Sequence, residues 1–333
     1  MRTTRTRTAS VLLVAALALA AAGCSSSGGK DSEPKPSQQS SGKGVSTPRL
    51  KIAMITHSGE GDTFWDIVQS GAKQAAAKDN VQFLYSANKE GKEQAQLVQA
   101  AIDQKVDGII VTLAKPEAVS DVVKKAVKAG IPVVTINSGA EFSQKLGALV
   151  HIGQDETVAG EAIGEKLNAE GKKKAVCVIH EQGNVSLEER CAGAKKTFKG
   201  SISNLNVDGT NTPAVTSSIT AKLQAEKDTD VIVTLGAPVA DAAVKAKGDA
   251  NSSAEVDTVD LNAKVVASMK SGAIGFAVDQ QPYLQGYLAI DELWLYKTNL
   301  NVIGGGKPVL TGPTIVTRTD VPALEKYTAA GTR

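Results

Sequence analysis

From Arg49 onward the chain alternates short β-branched runs with longer amphipathic stretches, and few architectures accommodate that alternation. Strands are expected at 50–56, 81–86, 108–113, 132–137, 175–180, 230–235, 256–261 and 274–279. Helical periodicity predicts helices at 64–78, 93–104, 116–129, 157–169, 187–198, 214–225 and 263–271. Asp62 or Thr63 is placed to cap the first helix, and Ala129-Gly130-Ile131-Pro132 stops the third before the next strand. Runs such as Ile109-Ile110-Val111 are apolar without interruption, as strands buried on both faces must be. A parallel sheet with helices on each side satisfies that burial, and right-handed crossovers make it doubly wound. The expected fold class is therefore α/β. The βα series starts again near Gln154, which gives two doubly wound lobes of similar design.

The N-terminus has a different chemistry. Met1-Arg2-Thr3-Thr4-Arg5-Thr6-Arg7 precedes an apolar run from Val11 to Ala22, the order of a secretory signal peptide over residues 1–23. The run is shorter than the roughly 18 to 20 residues that a membrane-spanning helix needs, which favours cleavage over spanning. Ala21-Ala22-Gly23-Cys24 resembles a bacterial lipobox, with Leu19 further upstream than the usual large residue. Cys24 is then the lipidated N-terminus, and its acyl chains hold the protein at the outer face of the cell membrane. Ser, Gly, Lys and Pro dominate the segment that begins there, so residues 24–48 are expected as a flexible tether.

Residues 1–23 hold three arginines and no acidic group, which leaves 34 basic against 35 acidic side chains and a formal charge of −1. Such a balance argues against nucleic acid as a partner. Some 285 residues lie beyond the tether, enough for two ordinary domains. His57, His151 and His180 form no metal spacing with Cys, Asp or Glu, so neither a metal nor a cofactor is expected. Gly304-Gly305-Gly306-Lys307-Pro308 lacks the spacing and the Ser or Thr of a phosphate loop and reads as a turn. No Gly-x-Ser-x-Gly elbow occurs and no histidine accompanies an evident nucleophile, so the chain is not read as an enzyme. Cys177 falls in a strand and Cys191 in the next helix, where they either bridge in an oxidising compartment or pack as two free thiols.

Five stretches carry a similarity that runs from about Arg49 to about Thr317. They are Thr56-His57-Ser58-Gly59 with Asp62-Thr63-Phe64-Trp65, Ile131-Pro132-Val133-Val134-Thr135-Ile136-Asn137, His151-Ile152-Gly153-Gln154-Asp155, Glu188-Glu189-Arg190-Cys191-Ala192-Gly193, and Val278-Asp279-Gln280-Gln281-Pro282-Tyr283-Leu284-Gln285-Gly286-Tyr287. In this order and spacing they resemble the type I periplasmic binding proteins of the ribose and galactose class, the sugar-binding lipoproteins of ABC importers. The resemblance implies two lobes joined by a three-segment hinge, with 49–153 plus 282–309 as the N-terminal lobe and 154–281 plus 310–333 as the C-terminal lobe. Ligand then sits between them, where general α/β rules also place a cleft.

A sugar offers an apolar ring face and a rim of hydroxyls, so its binder needs an aromatic plate and paired polar groups. Phe64 and Trp65 match the family's aromatic pair, the alternative being that both face the core with Ile67 and Val68. Ser58 and Asp62 match ligand-facing positions, and Asp62 also suits a helix cap. Asn137 stands where many relatives carry an acid. Arg190 matches an arginine that reaches ligand oxygens from the second lobe, the alternative being a surface ion pair with Glu188 or Glu189. Asp260 and Gln280 fit the family's aspartate and glutamine ligands, and Thr112 and Gln154 sit at strand ends near the cleft. Leu235-Gly236-Ala237-Pro238 lacks the Asn-Asp pair of ribose binders, which disfavours ribose itself.

The implied function is that of a monomeric substrate-binding lipoprotein. It closes two lobes on a monosaccharide or polyol and delivers it to the permease subunits of an ABC transporter. A ligand-binding sensory subunit that signals to a membrane receptor is the alternative, and the same cleft serves either. A sugar-responsive transcription regulator would need a helix-turn-helix where residues 1–48 carry an export signal and a tether.

Overall fold

The computed structural model describes residues 48–333. The export signal, Cys24 and residues 25–47 of the expected tether lie outside the described residues. The chain first builds β1 (Lys51–Thr56), α1 (Phe64–Lys78), β2 (Gln82–Ala87), α2 (Gly91–Asp103), β3 (Gly108–Val111), α3 (Pro116–Lys128), β4 (Val133–Ile136), α4 (Ala140–Ser143) and β5 (His151–Gly153). It continues through α5 (Glu156–Ala169), β6 (Lys174–Ile179), α6 (Val185–Thr197), β7 (Ser201–Asn206), α7 (Thr212–Ala225), β8 (Val231–Thr234), α8 (Ala237–Asp249), β9 (Glu255–Val259), α9 (Ala263–Ser271) and β10 (Phe276–Asp279). Last come α10 (Pro282–Asn299), β11 (Val309–Leu310), β12 (Thr314–Thr317) and α11 (Val321–Ala329).

Two six-stranded sheets result, in the orders β11-β5-β4-β3-β1-β2 and β12-β10-β9-β8-β6-β7. Pairing is parallel except for β12, which runs antiparallel to β10 and so departs from the expected all-parallel design. The chain passes from one sheet to the other three times: after β5, after β10 and between β11 and β12.

Each sheet is covered on both faces, as the uninterrupted apolar strands require. In β1, Ile52 and Met54 pack toward α1 and α10, whereas Ala53 and Ile55 face α2 and α3. That is the period of two expected of a strand. In the second sheet α5 and α6 cover one face and α7, α8 and α9 the other. Burying a Leu, Ile, Val or Phe stabilises by about 1.5–3 kcal/mol each, so these layers dominate the favourable side of folding.

Two helix pairs pack so closely that only glycine fits at the crossing. A Cβ on Gly286 of α10 would lie 1.9 Å from the Val68 carbonyl oxygen of α1. One on Gly160 of α5 would lie 2.2 Å from the Arg190 carbonyl oxygen of α6, and one on Gly193 of α6 would lie 2.4 Å from that of Thr157. The α5–α6 contact matters for the site, because it fixes which side chains of α5 face α6.

Helices α1 and α9 span the residues that their periodicity predicts. The β5, β7, β11 and β12 strands and helices α4, α8, α10 and α11 are not among the elements expected from periodicity. Strands β5 and β11 are too short to show a period, and β7, Ser-Ile-Ser-Asn-Leu-Asn, is a half-exposed edge strand without an apolar run. Thr63 holds the N-cap position of α1 without a side-chain bond, and Asp62 Oδ1 instead accepts from the Phe64 amide at 3.1 Å.

Candidate functional site between the lobes

The C-terminal ends of the strands in both sheets face one seam, and the segments that leave them line a cavity there. From the first lobe come His57 after β1, Asp62, Phe64 and Trp65 at the start of α1, and Asn137 after β4. The second lobe supplies Asn184 and Arg190 of the α6 region, Gly236 before α8, Asp260 after β9 and Gln280 after β10. Asn137 and Asp260 occupy matching places in the two lobes and both adopt the left-handed region, with φ of 62° and 72°. Asn and Asp tolerate that conformation better than other non-glycine residues, and such strain concentrates where side chains are aimed at a ligand.

Hydrogen bonds run across the seam. Asn137 Nδ2 donates to Gln280 Oε1 at 3.2 Å, and Gln280 Nε2 donates to Asp260 Oδ1 at 2.8 Å. Gln285 Nε2 donates to the same Gln280 Oε1 at 3.1 Å, which fixes the orientation of that amide. On the other side Asn184 Nδ2 lies 3.2 Å from His57 Nε2, and Lys115 Nζ lies 3.4 Å from Glu181 Oε1. The Val185 amide donates to the Ala114 carbonyl at 3.0 Å. The lobes are therefore in direct contact around the cavity. An outer chamber of about 480 Å³, lined by Lys89, Lys115, Asn206 and Asp208 among others, adjoins it through Asp62, His180 and Glu181.

Phe64 and Trp65 do two things at once. Both line the cavity, and both belong to the core cluster beneath β1 and α10. The Trp65 ring stands edge-on to Phe64 and to His57, with centroids 5.0 Å apart in each case. A rigid aromatic wall of this kind suits the C–H face of a sugar ring.

Arg190 is 3% exposed, and its guanidinium clasps a carboxylate with two nitrogens: Nε contacts Glu156 Oε2 and Nη2 donates to Glu156 Oε1 at 2.9 Å. Its partner is thus Glu156 of α5, which replaces the surface pairing with Glu188 or Glu189 considered from sequence. Burial alone would lower the Arg190 pKa, and the Glu156 charge and hydrogen bonds outweigh it and hold the value above normal. Burial pushes Asp260 up to about 7, against the lowering influence of Arg190 and Gln280. The same cause raises Asp62 to about 6, opposed by the Phe64 amide. Asp260, 6% exposed, has little solvent to settle its charge, whereas Asp62 is half-buried and also borders the outer chamber.

Seven of the ten expected ligand residues converge on the cavity: Asp62, Phe64, Trp65, Asn137, Arg190, Asp260 and Gln280. The other three expected residues do not line the cavity. Ser58 turns its hydroxyl to the Gly59 carbonyl at 3.1 Å, and Thr112 is buried behind the wall, where its Oγ1 meets His57 and Gln94. Gln154 lies under the hinge and donates to Glu156 Oε2 at 2.9 Å. A strand end near the seam is not enough to reach the cavity, because the pleat sends alternate side chains inward. His57, Asn184 and Glu156 were not among the expected site residues. His57 belongs to the Thr56-His57-Ser58-Gly59 motif, and Asn184 carries the N-cap signature of α6. Nothing local marks Glu156.

Cys177 and Cys191 are bonded, which decides between the bridge and the two free thiols. Glu170, Glu255 and Asp257 gather carboxylate oxygens within 4.8 Å of one another at the far end of the second sheet. Lys172 pairs with Glu255 there, so a side-chain ammonium provides the counter-charge.

A family model described as a periplasmic binding protein domain matches residues 52–299. The chain belongs to this family. Among solved structures, a carbohydrate transporter protein from Acidothermus cellulolyticus, in complex with myo-inositol, is 49% identical. That match covers 86% of this chain and all of the other with a TM-score of 0.85. An ABC transporter solute-binding protein from Burkholderia graminis, in complex with D-arabinose, is 27% identical over 81% of this chain and 96% of its own, with a TM-score of 0.73. The xylose/arabinose-binding protein XylF of Sulfolobus acidocaldarius is 25% identical over 272 residues, 75% of this chain, and the match spans 66% of that relative's length. These relatives are solute-binding proteins and not enzymes. As a periplasmic binding protein the chain is of the exported, extracytoplasmic class, and its two sheets are the two lobes of that fold.

Proposed function

We propose that this periplasmic binding protein is the substrate-binding lipoprotein of an ABC importer, that it captures a neutral monosaccharide or polyol by lobe closure, and that myo-inositol is its leading ligand. The chain Asn137–Gln280–Asp260 carries the reading, because it joins the two lobes inside the cavity and presents both donors and acceptors beside an aromatic wall. A ring of hydroxyls matches such a wall, and groups from both lobes on one ligand make the closed state the bound one. The myo-inositol complex of the Acidothermus relative supports the cyclic polyol in particular.

The lobes are taken as 49–153 plus 282–309 and 154–281 plus 310–333, a division that the three passages between sheets support. Cys24 is the proposed lipid anchor, with residues 24–48 as a tether that gives a monomeric receptor its reach to the permease. The deciding measurement is a thermal-shift screen of pentoses, hexoses, inositols and amino sugars on the mature chain. At about 100 times Kd a true ligand raises Tm by roughly 5 °C. No shift with any of them refutes the sugar and polyol reading and leaves the fold intact. In cells, Cys24→Ala is expected to move the protein from the membrane fraction to the medium, and retention in the membrane overturns the anchor.

A further inference from the structure

Glu156 opens α5 and is 4% exposed, yet it is not part of the cavity wall that contains Arg190. It stands behind that arginine. Its carboxylate takes Nε and Nη2 of Arg190 together with Nε2 of Gln154, three donors in all. The glycine crossing at Gly160 and Gly193 is what brings α5 and α6 close enough for this contact.

An unpaired arginine in a buried site is a strong receptor for carboxylates, because its planar fork matches two oxygens and its charge is desolvated. Here two of the three guanidinium nitrogens already engage Glu156, and Nη1 lies 3.4 Å from the Leu235 carbonyl. Three of its five N–H donors are thus engaged by the protein, and the Glu156 carboxylate offsets its charge. The other acidic side chains of the wall are Asp62, Glu181 and Asp260. A ligand carboxylate would enter among them and face an arginine whose charge is already matched.

We propose that Glu156 is a positioning residue that orients and neutralises Arg190, and thereby makes the cavity accept neutral polyhydroxyl ligands and exclude sugars that carry a carboxylate. The inference rests on the reading of the cleft as a sugar or polyol site. It adds a selectivity: between a hexose and the corresponding uronate, the neutral ring is taken.

The experiment compares wild type with Glu156→Gln, using myo-inositol and D-glucuronate as probes in calorimetry and thermal melts. Wild type is expected to bind myo-inositol and to ignore D-glucuronate. Glu156→Gln is expected to weaken myo-inositol roughly tenfold and to gain stabilisation by D-glucuronate, since the arginine is left with an uncompensated charge. A purely structural role for Glu156 predicts weaker myo-inositol binding with no gain of D-glucuronate binding, and that result overturns the proposal. Should Glu156→Gln fail to fold, Glu156→Asp keeps the charge and shortens the reach. It is expected to weaken myo-inositol about tenfold while still excluding D-glucuronate, and unchanged myo-inositol affinity counts against positioning. If no neutral sugar or polyol moves wild type while D-glucuronate stabilises Glu156→Gln, the neutral-ligand reading fails and the charge-setting role of Glu156 stands.

Discussion

Asp260, a proposed ligand residue, holds a buried carboxyl group at the expense of stability. Its left-handed backbone aims the carboxylate into the cavity, and burial raises its pKa to about 7. An acid whose folded pKa lies above its unfolded value of about 4 binds extra protons when folded, so its contribution declines as pH rises from about 4 to about 7. Above pH 7 the buried charge is a standing cost in the ligand-free protein. Asp260→Asn keeps the shape, tolerates the backbone and removes that cost. It is expected to raise the ligand-free Tm by a few degrees at pH 8, and melts at pH 5 and pH 8 check this. The same variant is expected to weaken myo-inositol at least tenfold, as loss of a charge-assisted hydrogen bond does. A Tm difference from wild type that does not grow with pH contradicts the assigned pKa. The aspartate itself was legible in the sequence through family resemblance. Its strain, its burial and its partner Gln280 were not, because each depends on chain that is distant in sequence.

At the scale of elements, β6 and α6 are tied by the Cys177–Cys191 bond, which closes a loop of 14 residues. Cross-linking a loop of that length stabilises by about 3 kcal/mol in the chain-entropy account. Replacing both cysteines with alanine is expected to lower Tm by roughly 6–10 °C. Because neither sulfur reaches the cavity, calorimetry is expected to return an unchanged Kd, and a changed one would show that the bond also sets the position of α6. The cysteine spacing allowed this bridge but also two free thiols; only the approach of β6 to α6 decides. The long amphipathic helices were readable because their apolar stripes repeat. Helix α10 escaped detection since it is buried on more than one side, between α1 and the first sheet, and shows little contrast between its faces.

For the whole molecule, closure places His57 and His180 inside the seam, where burial lowers the pKa of both and takes His180 to about 4. Glu181 raises each, while Arg190 lowers each, with Lys115 a further lowering influence on His57. A histidine kept neutral in the folded form costs nothing above its unfolded pKa of about 6.5 and destabilises increasingly as pH falls from there toward about 4. The His57 ring meets Asn184 and Glu181 of the other lobe, and the cost of protonating it in the closed form makes acid favour opening. Affinity for myo-inositol is expected to fall several-fold between pH 7.5 and pH 5.5, and His57→Gln is expected to reduce that dependence. Calorimetry at the two pH values tests it, and an affinity indifferent to acid contradicts the closure geometry. By itself the sequence determined the α/β class and the doubled lobe design, and it pointed to Asp62, Asn137, Arg190, Asp260 and Gln280 on the wall, because periodicity and motif order are local records. Only the tertiary structure decided that Ser58, Thr112 and Gln154 stay out of the cavity, that Cys177 meets Cys191, and that Glu156 faces Arg190. Those outcomes depend on how closely two helices cross and which way a strand end turns, and such distances are set by packing between segments far apart in the chain.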